Sequence, residues 1–222
     1  MTHMRAFGVF VVLAAVACGS SASSPELPRD APTPSIANPD GLAYPTDRIG
    51  PAARRGSIPG DRIPNFAFRA YLGGDRSKLQ TRSMADFYDP EAKRHRLIHF
   101  VAVAYWCSIC RAETKEISTI ETKLRADGVV QMAVLINGAS NGIGPSLTEF
   151  DDWGSTYMPS YDLGFDVRGT QLAAMGFSGV PWNALIDPRT MELLVAVSGA
   201  PQNVKSFVEA GLEFVDKTGP SY

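Results

Sequence analysis

The sequence contains few cysteines and histidines, the residues that most often bind zinc. Its 222 residues include three cysteines and three histidines. A structural zinc site needs four protein ligands, and a catalytic site needs three together with a water molecule. Cys107 and Cys110 are separated by two residues. His99 lies inside an apolar strand pattern, and the alternation of side chains along that strand does not favour His99 as a third ligand beside them. The sequence therefore predicts no metal site.

An excess of one charge is also lacking. The chain has 21 basic and 23 acidic residues, for a formal net charge of −2. Because nucleic-acid-binding proteins usually carry a basic patch, no nucleic-acid partner is expected. Long apolar runs are absent as well: the run from Ala6 to Ala17 has about 12 residues, whereas a membrane-spanning helix needs about 20. The sequence contains no internal repeat.

The first residues resemble a secretion signal. Arg5 precedes the apolar run and small residues follow it, which is the order of the n-region, h-region and cleavage site. The letters AAVAC are similar to a bacterial lipobox with Cys18 as the lipidated residue, although Ala15 stands where leucine is usual. The same alanines also fit ordinary secretion. We predict a signal peptide over residues 1–17 and a location outside the cytoplasm, with the chain anchored to a membrane through Cys18 or else secreted.

Composition divides the remaining chain into two parts. Residues 18–56 are rich in proline, serine, alanine and glycine. Such a segment buries too little apolar area to offset the entropy lost on ordering, so a flexible linker is predicted. Residues 57–222 are numerous enough to form one domain with a sizeable core.

Hydrophobic periodicity predicts an alternation of strands and helices in this domain. Apolar runs predict strands at 64–72, 97–105, 129–137, 182–187 and 192–199, with a hairpin or loop after the first. Helices are predicted from about Ser108 and at 146–157, 168–176 and 203–217. Ser146 and Glu149 have the spacing of a capping box. Because a strand–helix–strand unit requires a parallel pair and the closing hairpin adds an antiparallel edge, we predict an α/β fold: a mixed central β-sheet flanked by helices on both faces.

The first helix begins between the two cysteines. Its apolar residues recur at three- to five-residue steps and are predicted to form the buried face: Ile109, Ala112, Ile117, Ile120 and Leu124. Charged residues, among them Glu113, fill most of the other positions.

The C-x-x-C pair itself admits three interpretations: half of a zinc site, two cysteines packed in the core or joined as a static clip, and a redox dithiol. The first N–H groups of a helix are unpaired and carry partial positive charge. A thiolate placed there is stabilised, and the thiolate is the species that attacks disulfides. We therefore expect Cys107 to be an exposed nucleophile and Cys110, one turn further on, to close or resolve the disulfide.

At this point the chain resembles a known family. The letters WCSICRAE after a buried strand are similar to the W-C-x-x-C-R-x-E pattern of the TlpA/ResA-type extracytoplasmic thiol–disulfide oxidoreductases, which have the thioredoxin-like fold. The later letters GVPWNALID resemble the loop-then-strand segment of that family. The resemblance covers roughly residues 60–216, and it implies a three-layer thioredoxin-like domain with extra N-terminal strands.

The resemblance also implies roles for individual residues. Pro181 would be the cis-proline next to the dithiol, and its bond to Val180 would leave the Val180 backbone able to pair with an extended substrate peptide. Glu113 would handle the proton that Cys110 must lose. Trp106 would shield the cysteine pair, and Trp182, where a small threonine is common, would crowd the substrate groove or add stacking surface to it.

Some positions depart from the pattern of related proteins. Thioredoxins carry a buried acid six residues before the first cysteine, where this chain has Val101, so a proton role falls to Glu113 or to water. Ser108 and Ile109 stand between the cysteines in place of Gly-Pro or Pro-Pro. Because this pair tunes the reduction potential, the direction of exchange stays open.

Three functions are considered. The first is a thiol–disulfide oxidoreductase that acts on protein thiols, with a membrane thiol donor as a further partner and no cofactor beyond the Cys107–Cys110 disulfide. The second is a peroxiredoxin-like peroxidase, which would need a threonine three residues before Cys107, where Ala104 stands. The third is a metal-delivery module, which would need C-x-x-x-C spacing and a histidine in the proline loop.

Overall fold

The structure, a computed structural model, describes residues 27–28, 30–166 and 169–222. The signal peptide and lipidated cysteine predicted from the sequence lie outside these residues. The strands are β1 (Ala67–Leu72), β2 (Asp75–Ser83), β3 (Leu97–Ala104), β4 (Val129–Asn137), β5 (Asp162–Phe165), β6 (Trp182–Asp187) and β7 (Glu192–Ser198). The helices are α1 (Ser108–Ala126), α2 (Leu147–Tyr157) and α3 (Val204–Lys217), with 3-10 turns at Met84–Phe87 and Leu172–Met175.

The strands form a seven-stranded mixed sheet in the order β2-β1-β5-β4-β3-β6-β7. β3, β4 and β5 are parallel to one another, while the remaining pairs are antiparallel. Every residue of β3 is buried, as its continuous apolar run predicted for a central strand. The α/β class and the mixed sheet are confirmed.

The two faces of the sheet are covered differently. Side chains of α1, α2 and α3 share one core with Leu97, Val101 and Val103 of β3. The alternate residues of β3, such as Phe100, point into a second core with the two 3-10 turns and the segment that precedes β1. All three α-helices therefore pack on one face of the sheet, whereas helices were predicted on both. On the second face, the two 3-10 turns and extended chain cover the sheet.

The described part of the segment predicted as a flexible linker packs on the domain. Tyr44 is 5% exposed and its hydroxyl donates a hydrogen bond of 2.6 Å to the Ile63 carbonyl. Arg54 N–H donates to the Leu193 carbonyl of β7 at 2.8 Å. Tyr44 thus belongs to the second core, and Leu27 belongs to the first. The division of the chain at residue 57 stays a prediction. Composition alone indicated disorder because prolines and serines outnumber the few side chains that anchor this segment.

Two local differences from the sequence prediction affect the site. β5 was missed, because it has four residues and contains Gly164, a residue depleted in strands. The buried face of α1 was assigned wrongly at its start: Ile109 is 57% exposed, whereas Cys110 and Glu113 face the core. The helix is therefore rotated so that its polar Glu113 points inward.

Candidate active site

The two cysteines lie where β3 ends and α1 begins. Cys107 is the N-cap residue of α1, and its backbone N–H is bonded to the Ala104 carbonyl at the end of β3. The Cys110 backbone N–H donates to Cys107 Sγ across 3.0 Å. The sulfur thus takes the place of the side-chain oxygen that usually satisfies a helix N-terminus, so negative charge on it would be stabilised by the helix.

Cys107 and Cys110 form a disulfide with their Cα atoms 5.2 Å apart. Cys107 is 4% exposed and Cys110 is fully buried. Cys107 is more exposed than Cys110, as expected, but it is far less exposed than the sequence analysis predicted. Closure of the disulfide and contact with the neighbouring loop account for this difference.

That loop is the proline-bearing turn before β6. The Val180–Pro181 peptide bond is cis, and the Val180 carbonyl oxygen lies 3.7 Å from Cys107 Sγ. Pro181 is buried, and its carbonyl accepts a 2.7 Å hydrogen bond from Gly199 N–H after β7. The turn is therefore bonded to the chain after β7 through Pro181 and lies against the disulfide through Val180.

The residue before Cys107 is exposed at this junction. Trp106 is 44% exposed and lines a cleft with Asn141, Phe177 and Val180. Trp106 thus presents part of its ring to solvent at the rim of this cleft, and the shielding role implied by the resemblance stays a prediction.

Trp182 does not lie in this cleft. It is 3% exposed, and its ring stacks on Phe177 at 5.5 Å and meets Phe100 edge-on at 6.1 Å. The predicted role in a substrate groove is corrected, because the first residue of β6 points into the second core. Its ring packs against Phe177, which lines the cleft.

Arg111 holds the segment before the cysteines. Its guanidinium donates two hydrogen bonds, of 2.7 and 3.0 Å, to the Tyr105 carbonyl and lies over the Tyr105 ring at 4.4 Å. This is the arginine of the W-C-x-x-C-R-x-E pattern. It fixes the backbone two residues before Cys107.

Glu113 lies on the same buried face of α1 as Cys110 and is 2% exposed. Burial raises the pKa of Glu113 to about 7; the hydrogen bond from Asn183 lowers it and the charge of Glu116 adds to the rise. Asn183 Nδ2 donates to Oε1 at 2.8 Å. Oε2 is buried without a hydrogen-bond partner among the described residues.

Two buried residues near Glu113 were not assigned by sequence reasoning. His99 of β3 and Asn183 of β6 are fully buried, with His99 Nε2 and Asn183 Oδ1 2.9 Å apart. Burial lowers the pKa of His99 to about 4, so the ring is neutral at physiological pH. The available signal was a polar residue inside each of two apolar strand runs.

The described ranges contain no cluster of three or more histidine, cysteine, aspartate or glutamate side chains that could hold a metal ion. Within the same ranges, none of the helices has the length and apolar character needed to cross a bilayer.

Comparison of the sequence with protein-family models gives no match. Comparison with curated proteins gives no match either. Solved structures do match, and they have one fold in common. A Chlorobium tepidum protein described as the thiol:disulfide interchange protein DsbE superposes with a TM-score of 0.54 and 20% identity, covering 71% of this chain and 96% of that one.

Two further matches show the range of proteins with this fold. The exposed lipoprotein thioredoxin Etrx1 of Streptococcus pneumoniae gives a TM-score of 0.51 and 22% identity, covering 68% of this chain and 99% of that one. The reduced 2-Cys peroxiredoxin of Plasmodium vivax gives a TM-score of 0.52 and 11% identity, covering 71% of this chain and 79% of that one. The chain therefore has the thioredoxin-like fold, with a C-x-x-C disulfide at the start of its first helix.

Proposed function

We propose that this protein is an extracytoplasmic thiol–disulfide oxidoreductase of the TlpA/ResA type that exchanges disulfides with protein thiols. The observation that carries the proposal is the Cys107–Cys110 disulfide at the N-terminus of α1, with the Val180 carbonyl 3.7 Å from Cys107 Sγ. The C. tepidum match, described as a thiol:disulfide interchange protein, supports the same activity.

In the reducing direction, the Cys107 thiolate attacks one sulfur of a substrate disulfide. A Cys107–substrate bond forms, the substrate disulfide breaks, and the leaving sulfur departs as a thiolate. Cys110 then loses its proton to Glu113 and attacks Cys107 Sγ, which releases the second substrate thiolate and closes Cys107–Cys110. The substrate gains two electrons and the cysteine pair loses two. The reverse sequence oxidises a substrate dithiol.

Each step has a structural reason. The Cys110 N–H bonded to Cys107 Sγ favours the thiolate form of Cys107. Cys107 retains the pair's exposed surface, so substrate meets this sulfur first. Val180 and Trp106 border the cleft beside it and would contact an extended peptide.

The location outside the cytoplasm rests on the predicted signal peptide and on Cys18 as a lipid anchor. The S. pneumoniae match, an exposed lipoprotein thioredoxin, supports a tethered enzyme of this kind. In such a place a membrane thiol donor would supply electrons whenever the protein acts as a reductant.

Trapping of the mixed disulfide tests the proposal. Wild-type protein should accelerate reduction of insulin by dithiothreitol, and Cys110→Ser should accumulate a covalent adduct with a disulfide substrate through Cys107. Cys107→Ser is the matched control and should form no adduct. Equal adducts from both variants, or no acceleration by the wild type, would contradict the proposal. The potential of the pair against glutathione then sets the direction of exchange.

A peroxidase is the second candidate, because the P. vivax peroxiredoxin has the same fold. Ala104 occupies the position of the expected threonine. Peroxide consumption by a Cys110→Ser variant, with Cys107 as the reacting thiol, would favour the peroxidase over the oxidoreductase.

A further inference from the structure

A row of buried polar side chains runs from β4 through β3 and β6 to α1. Gln131 Nε2 lies 3.2 Å from His99 Nδ1, and His99 Nε2 lies 2.9 Å from Asn183 Oδ1. Asn183 Nδ2 lies 2.8 Å from Glu113 Oε1. All four residues are at most 6% exposed, and His99 and Asn183 have no exposed surface. Three separate strands and the catalytic helix are thereby connected.

The donors in this row all point toward Glu113. A carboxylate only accepts, so Asn183 must present its amide N–H to Glu113 and its Oδ1 to His99. His99 then carries its proton on Nε2, and its bare Nδ1 accepts from Gln131. Every hydrogen bond in the row is satisfied by this one assignment, and successive bonds of the same direction polarise one another.

The row ends at a carboxylate with one bonded and one free oxygen. Asn183 holds Oε1, whereas Oε2 has no hydrogen-bond partner within the described residues although it is buried. Burying a charged oxygen without a hydrogen bond costs free energy, and protonation of that oxygen removes this cost because the carboxyl group becomes neutral. Cys110, which must release a proton before it can attack, is three residues away on the same buried face of α1.

We propose that Asn183 and His99 are positioning residues for Glu113: Asn183 fixes Oε1 so that Oε2 is left to receive the Cys110 proton, and His99 fixes the orientation of Asn183. The inference rests on the proposed oxidoreductase function. In the step concerned, the S–H bond of Cys110 breaks and an O–H bond forms on Glu113. The Cys110 sulfur bonds to Cys107 Sγ with the freed electron pair, and the bond between Cys107 and the substrate sulfur breaks, so that the substrate leaves as a thiolate.

Other groups near Glu113 also influence its protonation. Glu116, one turn along α1, adds a like charge, and Tyr161 before β5 is within electrostatic range. β3 and β6 contribute the neutral His99 and Asn183, and α3 contributes Phe207, whose ring meets His99 edge-on at 6.2 Å. Among these contacts, the Asn183 hydrogen bond is the one that favours the ionised carboxylate.

The test is a double-mutant cycle on the full chain. Asn183→Val removes the donor to Glu113, so the midpoint of Glu113 titration, followed by carbon-13 NMR of its carboxyl group, should rise by roughly one to two pH units. The pH profile for release of the mixed disulfide should move upward by the same amount. His99→Leu, which frees the Asn183 amide to rotate, should shift the Glu113 midpoint and the pH profile in the same direction.

Non-additivity identifies the positioning role. Because His99 acts through Asn183, the double variant should shift no further than Asn183→Val alone. His99→Gln, which keeps a donor near Asn183, should preserve the wild-type midpoint. Phe207→Leu is the packing control and should leave the midpoint unchanged. Additive shifts, or a shift with Phe207→Leu equal to that with His99→Leu, would overturn the proposal.

A measurement on the wild type covers the case in which the apolar variants fail to fold. The chemical shifts of the side-chain N–H groups of Asn183 and of His99 Nε2 should change with pH at the Glu113 midpoint. Chemical shifts that do not change at that midpoint would overturn the proposal. If the wild type exchanges no disulfides, the proposed function fails, whereas the Glu113 midpoints still decide whether His99 acts through Asn183.

Discussion

At the scale of single residues, burial changes the chemistry of Glu113 most. Away from solvent its carboxyl group ionises near pH 7, and near that pH it can both accept and give up a proton. A surface glutamate would be almost entirely ionised there and a poor proton acceptor. The proton role implied by the sequence resemblance stays a prediction, but the structure supplies the environment that this role requires.

We therefore predict that Glu113→Gln slows release of the mixed disulfide by roughly tenfold or more near pH 7, since a positioned base is lost. Gln at this site still accepts from Asn183, so circular dichroism should show an intact fold. Glu121→Gln, on the same helix and bonded to Ser160 N–H, is the control and should keep the wild-type rate. An unchanged rate for Glu113→Gln across the pH range would remove Glu113 from the mechanism.

The residues of the site differ in how far the sequence predicted them. Cys107, Cys110 and Pro181 stand in motifs, so the sequence indicated their positions directly. The inward rotation of Glu113 was missed, because Ile109 and Ala112 made the opposite face look apolar. His99 and Asn183 were missed as a pair, since 84 residues separate them and their contact depends on strand register.

At the scale of single elements, α2 shows how one short motif fixes an end. Ser146 accepts from Glu149 N–H at 3.2 Å, and Glu149 Oε2 accepts from Ser146 N–H at 2.7 Å. Glu149 Oε1 also accepts from Ala139 N–H at 2.7 Å. The capping box thus joins the start of α2 to the loop after β4.

Ser146→Ala should lower the free energy of unfolding by about 1 kcal/mol, because one N-terminal N–H group of α2 loses its acceptor. Urea denaturation at pH 7 measures the loss. Ser155→Ala, inside the same helix and exposed, serves as the control and should cost less. An equal loss for both variants would mean that the cap contributes nothing beyond ordinary helix propensity.

Elements with their own local signal were predicted well, and elements without one were not. β4 and β6 have the predicted bounds, and the Ser146 cap has the predicted geometry. β5 has four residues, so its place between β1 and β4 is decided by pairing on both sides rather than by its own pattern. Such pairing depends on the whole sheet and cannot be read from a short window.

At the scale of the whole molecule, the buried polar row links pH to stability in two opposite ways. The unfolded chain protonates His99 near pH 6.5, but the folded protein does so only near 4. Stability from His99 is therefore lost as the pH falls from 6.5 toward 4. Glu113 takes up its proton near pH 7 when folded and near 4.5 when unfolded. Its contribution is complete below pH 4.5 and is lost as the pH rises through 7.

The two contributions are similar in size, roughly 3 kcal/mol each, and their pH ranges overlap. Between pH 6.5 and 4.5 they should largely offset each other in the wild type. Glu113→Gln should expose the His99 effect, so that the free energy of unfolding falls as the pH is lowered through this range. His99→Gln should expose the Glu113 effect, so that it rises instead. Urea denaturation of the three proteins at pH 4.5, 5.5 and 6.5 measures these differences, because all other titrating groups are common to them.

Parallel pH dependences of the three free energies of unfolding would show that neither buried group changes its proton affinity on folding. The row would then be an ordinary packing feature.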